Sequence, residues 1–231
     1  MPEFLARLTS EETGSLSSRM RARRMGLLLD MIRTVHQKHG QVSILDIGGR
    51  KRFWQPIENE LPKCNVKVSI INLPDEIDRR GQNGDDDVFT HVKGDACRMP
   101  QYADKSFHLA VSNSVIEHVG NWNQVRAFAS EARRVAEHLF VQTPNFWFPI
   151  EPHYVCPLFH WLPRPMQAWL FMHFKFAVQY PTRDLDKAMK WVDEAPRLLT
   201  HRMLRHLFPD CRIIPEKFLI FFNKSWMVLR A

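Results

Sequence analysis

The chain has 231 residues, 45% of them hydrophobic, with four cysteines and a formal net charge of +7. That length fits one α/β domain with an insertion, and the ordinary apolar fraction excludes a disordered chain. No apolar run reaches the ~20 residues that span a bilayer, and residues 1–18 lack a secretion signal's layout.

Cys64, Cys97, Cys156 and Cys211 lack the C-x-x-C spacing of zinc or redox sites, so a reducing cytoplasm is the expected setting. Arg19, Arg21, Arg23 and Arg24 cluster near the start, and Arg50, Lys51 and Arg52 form a second basic group. Such a surplus suits either an anionic partner or plain solvated helix faces.

An amphipathic helix is expected over 15–38, with Met20, Arg24, Leu27, Leu28 and Met31 at helical spacing and Gly40 as its stop. Residues 42–50, VSILDIGGR, read as a buried strand ending in Asp46 and a Gly48-Gly49 turn, the first crossover of an open α/β sheet. A helix follows over 52–61. The second strand, 66–73, ends at Asn72 and Leu73 before Pro74, and residues 82–87 read as a surface turn.

The third strand, 88–93, delivers Gly94, Asp95 and Ala96. Asp95 suits either an exocyclic amine of a ligand or a helix N-cap. The fourth, 107–111, opens into Asn113, Ser114, Glu117 and His118; a helix spans 122–136, and a fifth strand over 139–142 opens into Asn145. This alternation of strand and helix predicts a Rossmann-like, doubly wound and mostly parallel α/β sheet, closed by antiparallel C-terminal strands.

Residues 42–50, 94–95, 107–118 and 131–145 together resemble the class I S-adenosylmethionine-dependent methyltransferases, of the methyltransferase-11-like group. The resemblance implies that Asp46, Gly48 and Gly49 hold the methionine part and ribose of S-adenosylmethionine. It places Asp95 and Ala96 at the adenine and Asn113, with Ser114, at the methionine end. The family's ribose-binding acid falls on Asn72, beside Leu73, and the usual glycine turn before strand five is missing at Arg134–His138. Residues 112–120 and 142–153 also resemble a bacterial subgroup of mostly unassigned substrate.

The organisation expected is therefore a helical cap (1–40), a cofactor-binding core (41–145), an aromatic lid (146–197) and a closing helix with strands (198–231). The lid carries Trp147, Phe148, Phe159, Trp161, Trp169, Phe171, Phe174 and Phe176 between prolines, with a short helix over 166–178. These aromatics suit a satellite core, an apolar acceptor pocket or a peripheral membrane surface. A helix over 198–208 and strands over 212–215 and 218–229 complete the chain, with Asn223, Lys224 and Ser225 read as a bulge or turn.

His118 and His153 are the candidate general bases, with Glu117 or Glu151 to orient them. Asn145, Trp147, Phe148 and Trp161 are the candidate acceptor contacts. No metal is expected, because Glu117-His118 lacks further carboxylates at ligand spacing. The expected activity is methyl transfer to oxygen of a small or lipid-like acceptor. A silent binding module that uses the lid for a partner is one alternative. A nucleic-acid methyltransferase is another, disfavoured because no N-P-P-Y-like run follows strand four.

Overall fold

β-branched and aliphatic residues dominate the first two strands, and in the computed structural model these are inner strands of a seven-stranded sheet. The structure describes residues 16–80, 85–151, 153–154, 156–175, 180–218 and 222–231. The expected helix start at Ser15, the first half of the 82–87 turn, Phe176, the end of the 166–178 helix and residues 219–221 of the last strand lie outside the described residues.

The strands are β1 (Val42–Ile47), β2 (Val66–Asn72), β3 (Phe89–Lys93), β4 (Phe107–Asn113), β5 (Ala136–Pro144), β8 (Arg212–Phe218) and β9 (Phe222–Arg230). Two-residue strands β6 (Ile150–Glu151) and β7 (Cys156–Pro157) pair separately in the lid. The main order is β3-β2-β1-β4-β5-β9-β8. Strands β1 to β5 are parallel, and β9 runs antiparallel between β5 and β8. The order reverses between β1 and β4, so their carboxyl tips splay into a crevice.

Each face of the sheet has its own core. Helix α1 (Leu16–His39) buries Met25, Leu28, Ile32 and Val35 on one face, and α3 (Trp122–Val135) buries Val125, Phe128, Ala129 and Ala132 on the other. The expected stripe on α1 is thus rotated: Leu28 holds the core, while Met20 and Arg24 overhang the strand tips. The helix expected after β1 is a 3-10 helix, Lys51–Glu60. Pro56 inside it lacks the N–H that an α-helix needs there. Helix α2 (Pro74–Arg80) follows β2, but the stretch from Gly94 to Ser106 makes turns only, so alternation is broken once.

Helix α3 begins on a capping box, Asn121 accepting from the N–H groups of Asn123 and Gln124. It passes into β5 without a loop, which accounts for the missing glycine turn. In the lid, α4 (Arg164–His173) packs on α5 (Leu185–Asp193), a helix not anticipated from the sequence. Phe159, Ala168, Phe171, Ala188 and Val192 form their small core. Helix α6 (His201–Leu207) is capped by Thr200. Of the bulge or turn expected at Asn223, Lys224 and Ser225, the bulge is found: within β9 Ser225 pairs with Glu216 and Asn223 with Lys217, which leaves Lys224 unpaired in the register, and Ser225 also pairs with Pro144.

Candidate active site

The tip of β1 is a cradle that side chains would fill. Gly48 has φ +73, and a Cβ there would stand 2.5 Å from a Val115 methyl. A Cβ on Gly49 would fall 1.9 Å from the Asp46 carboxylate. Asp46 is 1% exposed; one oxygen accepts from the Trp54 indole at 2.8 Å and the other, Oδ1, has no partner. Burial pushes its pKa up to about 7, against the opposing effect of the Trp54 hydrogen bond. The Asn72 amide donates to the Gly49 carbonyl at 3.0 Å, so this residue braces the turn.

The neighbouring tips complete the crevice. Gly94 donates to the Asn72 carbonyl at 2.9 Å, and the Asp95 carboxylate accepts from the Cys97 N–H at 2.8 Å. That bond fixes the turn carrying Asp95 and Ala96 to the cleft wall. At the tip of β4, Ser114 takes a left-handed φ of +55 and donates to Gln142 at 2.7 Å. Such a conformation in a non-glycine residue is rare and clusters at functional sites. Gly48, Leu73, Asp95, Ala96 and Asn113 all line one cleft of about 1180 Å³. Gly48 and Asp95 therefore face the same hollow.

Three residues that support this cleft were not assigned to it from the sequence. Arg24 reaches down from α1, donates to the Asn113 amide oxygen and forks onto Glu216 at 3.0 and 2.9 Å. Ser225 donates to the same carboxylate at 2.5 Å, so α1 is tied to β8 and β9 across the cleft. Arg134 binds Glu131 and Asp104 and donates to the carbonyls of Met99 and Tyr102, holding the turns beyond Ala96. Trp54, the partner of Asp46, sits only eight residues along the chain from it, a signal too common to stand out.

These groups fit S-adenosylmethionine. The unpartnered Asp46 oxygen, when ionised, suits an ammonium, and the glycine turn admits close backbone approach.

Beyond Ser114 the candidate bases come together. His118 Nε2 lies 3.1 Å from His153 Nε2, with the rings edge to face. Glu151, 2% exposed, lies 2.7 Å from His153 Nδ1 and accepts from the N–H groups of His153 and Tyr154. Glu117 is also buried; it accepts from the Thr143 hydroxyl at 2.9 Å, and its Oε1 has no partner. Burial pushes Glu117 up to about 7. Burial, reinforced by neighbouring His153, pushes His118 down to about 4. For His153 burial works against the imidazolium, but the hydrogen bond and charge of Glu151 outweigh it and the pKa is raised.

His118 also lines a second cavity of about 900 Å³ under the lid, with Glu117, Glu151, Tyr154, Phe159 and Arg164. His153 joins Glu117 and His118 from 35 residues away, a juxtaposition that spacing along the chain does not reveal.

The lid aromatics divide three ways. Phe159 and Phe171 are core, Phe148 closes the cofactor cleft against Phe218, and Trp147 (63% exposed) and Trp161 (40%) stand near each other on the surface. Asn145 lines the cleft, but its amide serves the scaffold: it donates to Asn223 O at 2.8 Å and accepts from Trp226 Nε1 at 3.0 Å. No helix among the described residues is long and apolar enough to cross a membrane.

Residues 63–138, about a third of the chain, match the family described as Methyltransferase domain. No curated sequence matches the chain. Similar solved structures include the methyltransferase domain of bacterial CtHen1-CN, at 13% identity and TM-score 0.49, covering 87% of this chain and 95% of that one. A SAM-dependent methyltransferase from Aquifex aeolicus gives 12% and 0.43, with 99% and 97% covered. The YcgJ protein of Bacillus subtilis gives 12% and 0.49, with 84% and 70% covered. These likenesses are distant; residues 63–138 match a methyltransferase domain, and that match sits in a sheet of order β3-β2-β1-β4-β5-β9-β8 with a cleft at its parallel strand tips.

Proposed function

We propose that the protein methylates an oxygen atom of a small or amphiphilic acceptor seated in the cavity under the lid. The carrying observation is that His118 lines both that cavity and the cofactor cleft. S-adenosylmethionine supplies an activated methyl group; the chain supplies position and a place for the acceptor's proton. With its pKa depressed to about 4, His118 is neutral near pH 7 and has a lone pair to offer. Glu151 holds His153 in one orientation, and His153 in turn abuts His118.

An amphiphilic acceptor is supported by the exposed apolar side chains of the lid, Trp147, Leu158, Trp161, Met166 and Trp169. Weaker turnover after Trp147→Ser with Trp161→Ser, for acceptors carrying an acyl chain only, is the outcome that supports it.

Calorimetric titration with S-adenosylmethionine and S-adenosylhomocysteine comes first. Micromolar binding is expected, and none at millimolar cofactor would leave a silent binding module instead. Release of S-adenosylhomocysteine over a panel of alcohols, phenols and hydroxylated lipids then finds the acceptor. His118→Asn combined with His153→Asn should lower kcat about 10²- to 10⁴-fold with cofactor affinity unchanged. An unchanged kcat removes both histidines from the chemistry.

A further inference from the structure

We infer that Glu117, His118 and His153 form a site for one divalent first-row transition-metal ion, with zinc as the reference ion, at the seam between the two cavities. The inference rests on the assignment of that seam to the acceptor. The same lone pairs bind either a proton or the ion, so metal content decides which duty the histidines perform.

The geometry is that of a site already assembled. One donor atom from each of the three residues lies within 4.8 Å of the others. The two Nε2 atoms are 3.1 Å apart. Two imidazole nitrogens bound at about 2.05 Å across a tetrahedral angle stand about 3.3 Å apart, so little movement is needed.

The surroundings prepare each donor. Glu151 lies 2.7 Å from Nδ1 of His153 and is itself fixed by two backbone N–H groups. That arrangement places the ring proton on Nδ1 and leaves the Nε2 lone pair facing His118, as carboxylate–histidine–metal sites do. Glu117 is anchored by Thr143 through one oxygen and by its own carbonyl, which accepts from Arg197 N at 2.7 Å. Its remaining oxygen is buried without a donor.

A proton shared between the two histidines accounts for their close approach, but it leaves the Glu117 oxygen stranded. A cation satisfies all three groups together. Two imidazoles and one carboxylate favour zinc and its neighbours over magnesium or calcium, which prefer oxygen alone. Three protein ligands leave a position open, and both Glu117 and His118 line the lid cavity, so the ion takes an acceptor oxygen there as a further ligand.

The test uses the full chain after dialysis against a chelator, with zinc titrated against a chromophoric competitor and cobalt(II) followed by its visible spectrum. One equivalent should bind at micromolar Kd or tighter. Glu117→Gln, His118→Asn and His153→Asn should each weaken it about 100-fold or more, and Glu151→Gln about 10- to 100-fold. Circular dichroism and thermal unfolding serve as controls for folding.

Absence of binding, or equal binding by the triple variant, overturns the site. Full methyl transfer by chain shown to be metal-free overturns the acceptor-ligand role. Zinc binding without any cofactor affinity would leave the site standing and remove the methyltransferase reading instead.

Discussion

The cofactor cleft and the seam of Glu117, His118 and His153 sit side by side but are put together in opposite ways. The cleft is built from short runs at adjacent strand tips: Asp46 to Gly49 after β1, Asn72 and Leu73 after β2, Asp95 and Ala96 after β3. Each run is a local solution to a backbone problem. The seam instead gathers Glu117 and His118 from one loop, Glu151 and His153 from the lid and Thr143 from β5. Rigid parallel strands fix the first region, whereas the second depends on how an insertion with its own small core settles on the sheet.

The sharpest way to break this contrast is Gly49→Ala. The new methyl would overlap the Asp46 carboxylate, which Trp54 and burial hold in place. Cofactor affinity should fall by about 100-fold or more, since backbone approach and the ammonium site are disturbed together. Zinc or acceptor binding at the seam should change little. Calorimetry on both ligands reads the difference, and cofactor affinity kept within about threefold would show that this turn is no cradle.

The complementary change is Phe171→Ala in the lid core. Loss of a fully buried ring costs about 3–5 kcal/mol. If the lid is a separate cooperative unit, that cost appears as faster hydrogen exchange over α4 and α5 and as lost turnover, with cofactor affinity preserved. A parallel collapse of cofactor binding would mean that lid and sheet fold as one body.

The same contrast explains what could be read from the sequence. The five parallel strands and the glycine turn were legible because buried strands have a period and turns have a composition. Asp46, Gly48, Gly49, Asp95 and Asn113 reach the cleft as their positions at strand tips imply. Arg24 looked like one more charge on an amphipathic helix, and only the packing of α1 brings it over Asn113 and Glu216. Helix α5 and the division of the lid aromatics were hidden for a related reason. Proline-rich chain has no single period, and which rings are buried depends on contacts made far along the sequence.

A gentler probe of the cleft is pH. Burial raises Asp46 from the ordinary 3.8 to about 7, so the native state holds this proton more tightly than the unfolded chain does. Its contribution to folding stability is therefore greatest at low pH and is lost as pH rises from 3.8 through about 7. A ligand ammonium favours the ionised carboxylate and acts in the opposite sense. Cofactor affinity should rise by up to about tenfold per pH unit below neutrality and level off above it. The thermal stabilisation given by cofactor should grow over the same range. Asp46→Asn should flatten the profile, and an unaltered slope in that variant would place the titrating group elsewhere.

The smallest effect expected is also the one that best separates family resemblance from this chain's own geometry. Asn72→Asp restores the acid that the resemblance expects at the ribose. Resemblance alone predicts tighter cofactor binding. In this structure, however, Asn72 Nδ2 donates to the Gly49 carbonyl at 3.0 Å, and a carboxylate there has nothing to donate. The variant exchanges a brace of about 1 kcal/mol for oxygen facing oxygen at the turn that positions Gly48 and Gly49. Two ribose hydroxyls could return a similar amount, so the net change is small and its sign is informative. We expect binding about three- to tenfold weaker, with the glycine turn loosened in hydrogen exchange. Tighter binding with an equally protected turn would mean that the Asn72 brace is dispensable and that the ribose governs this position.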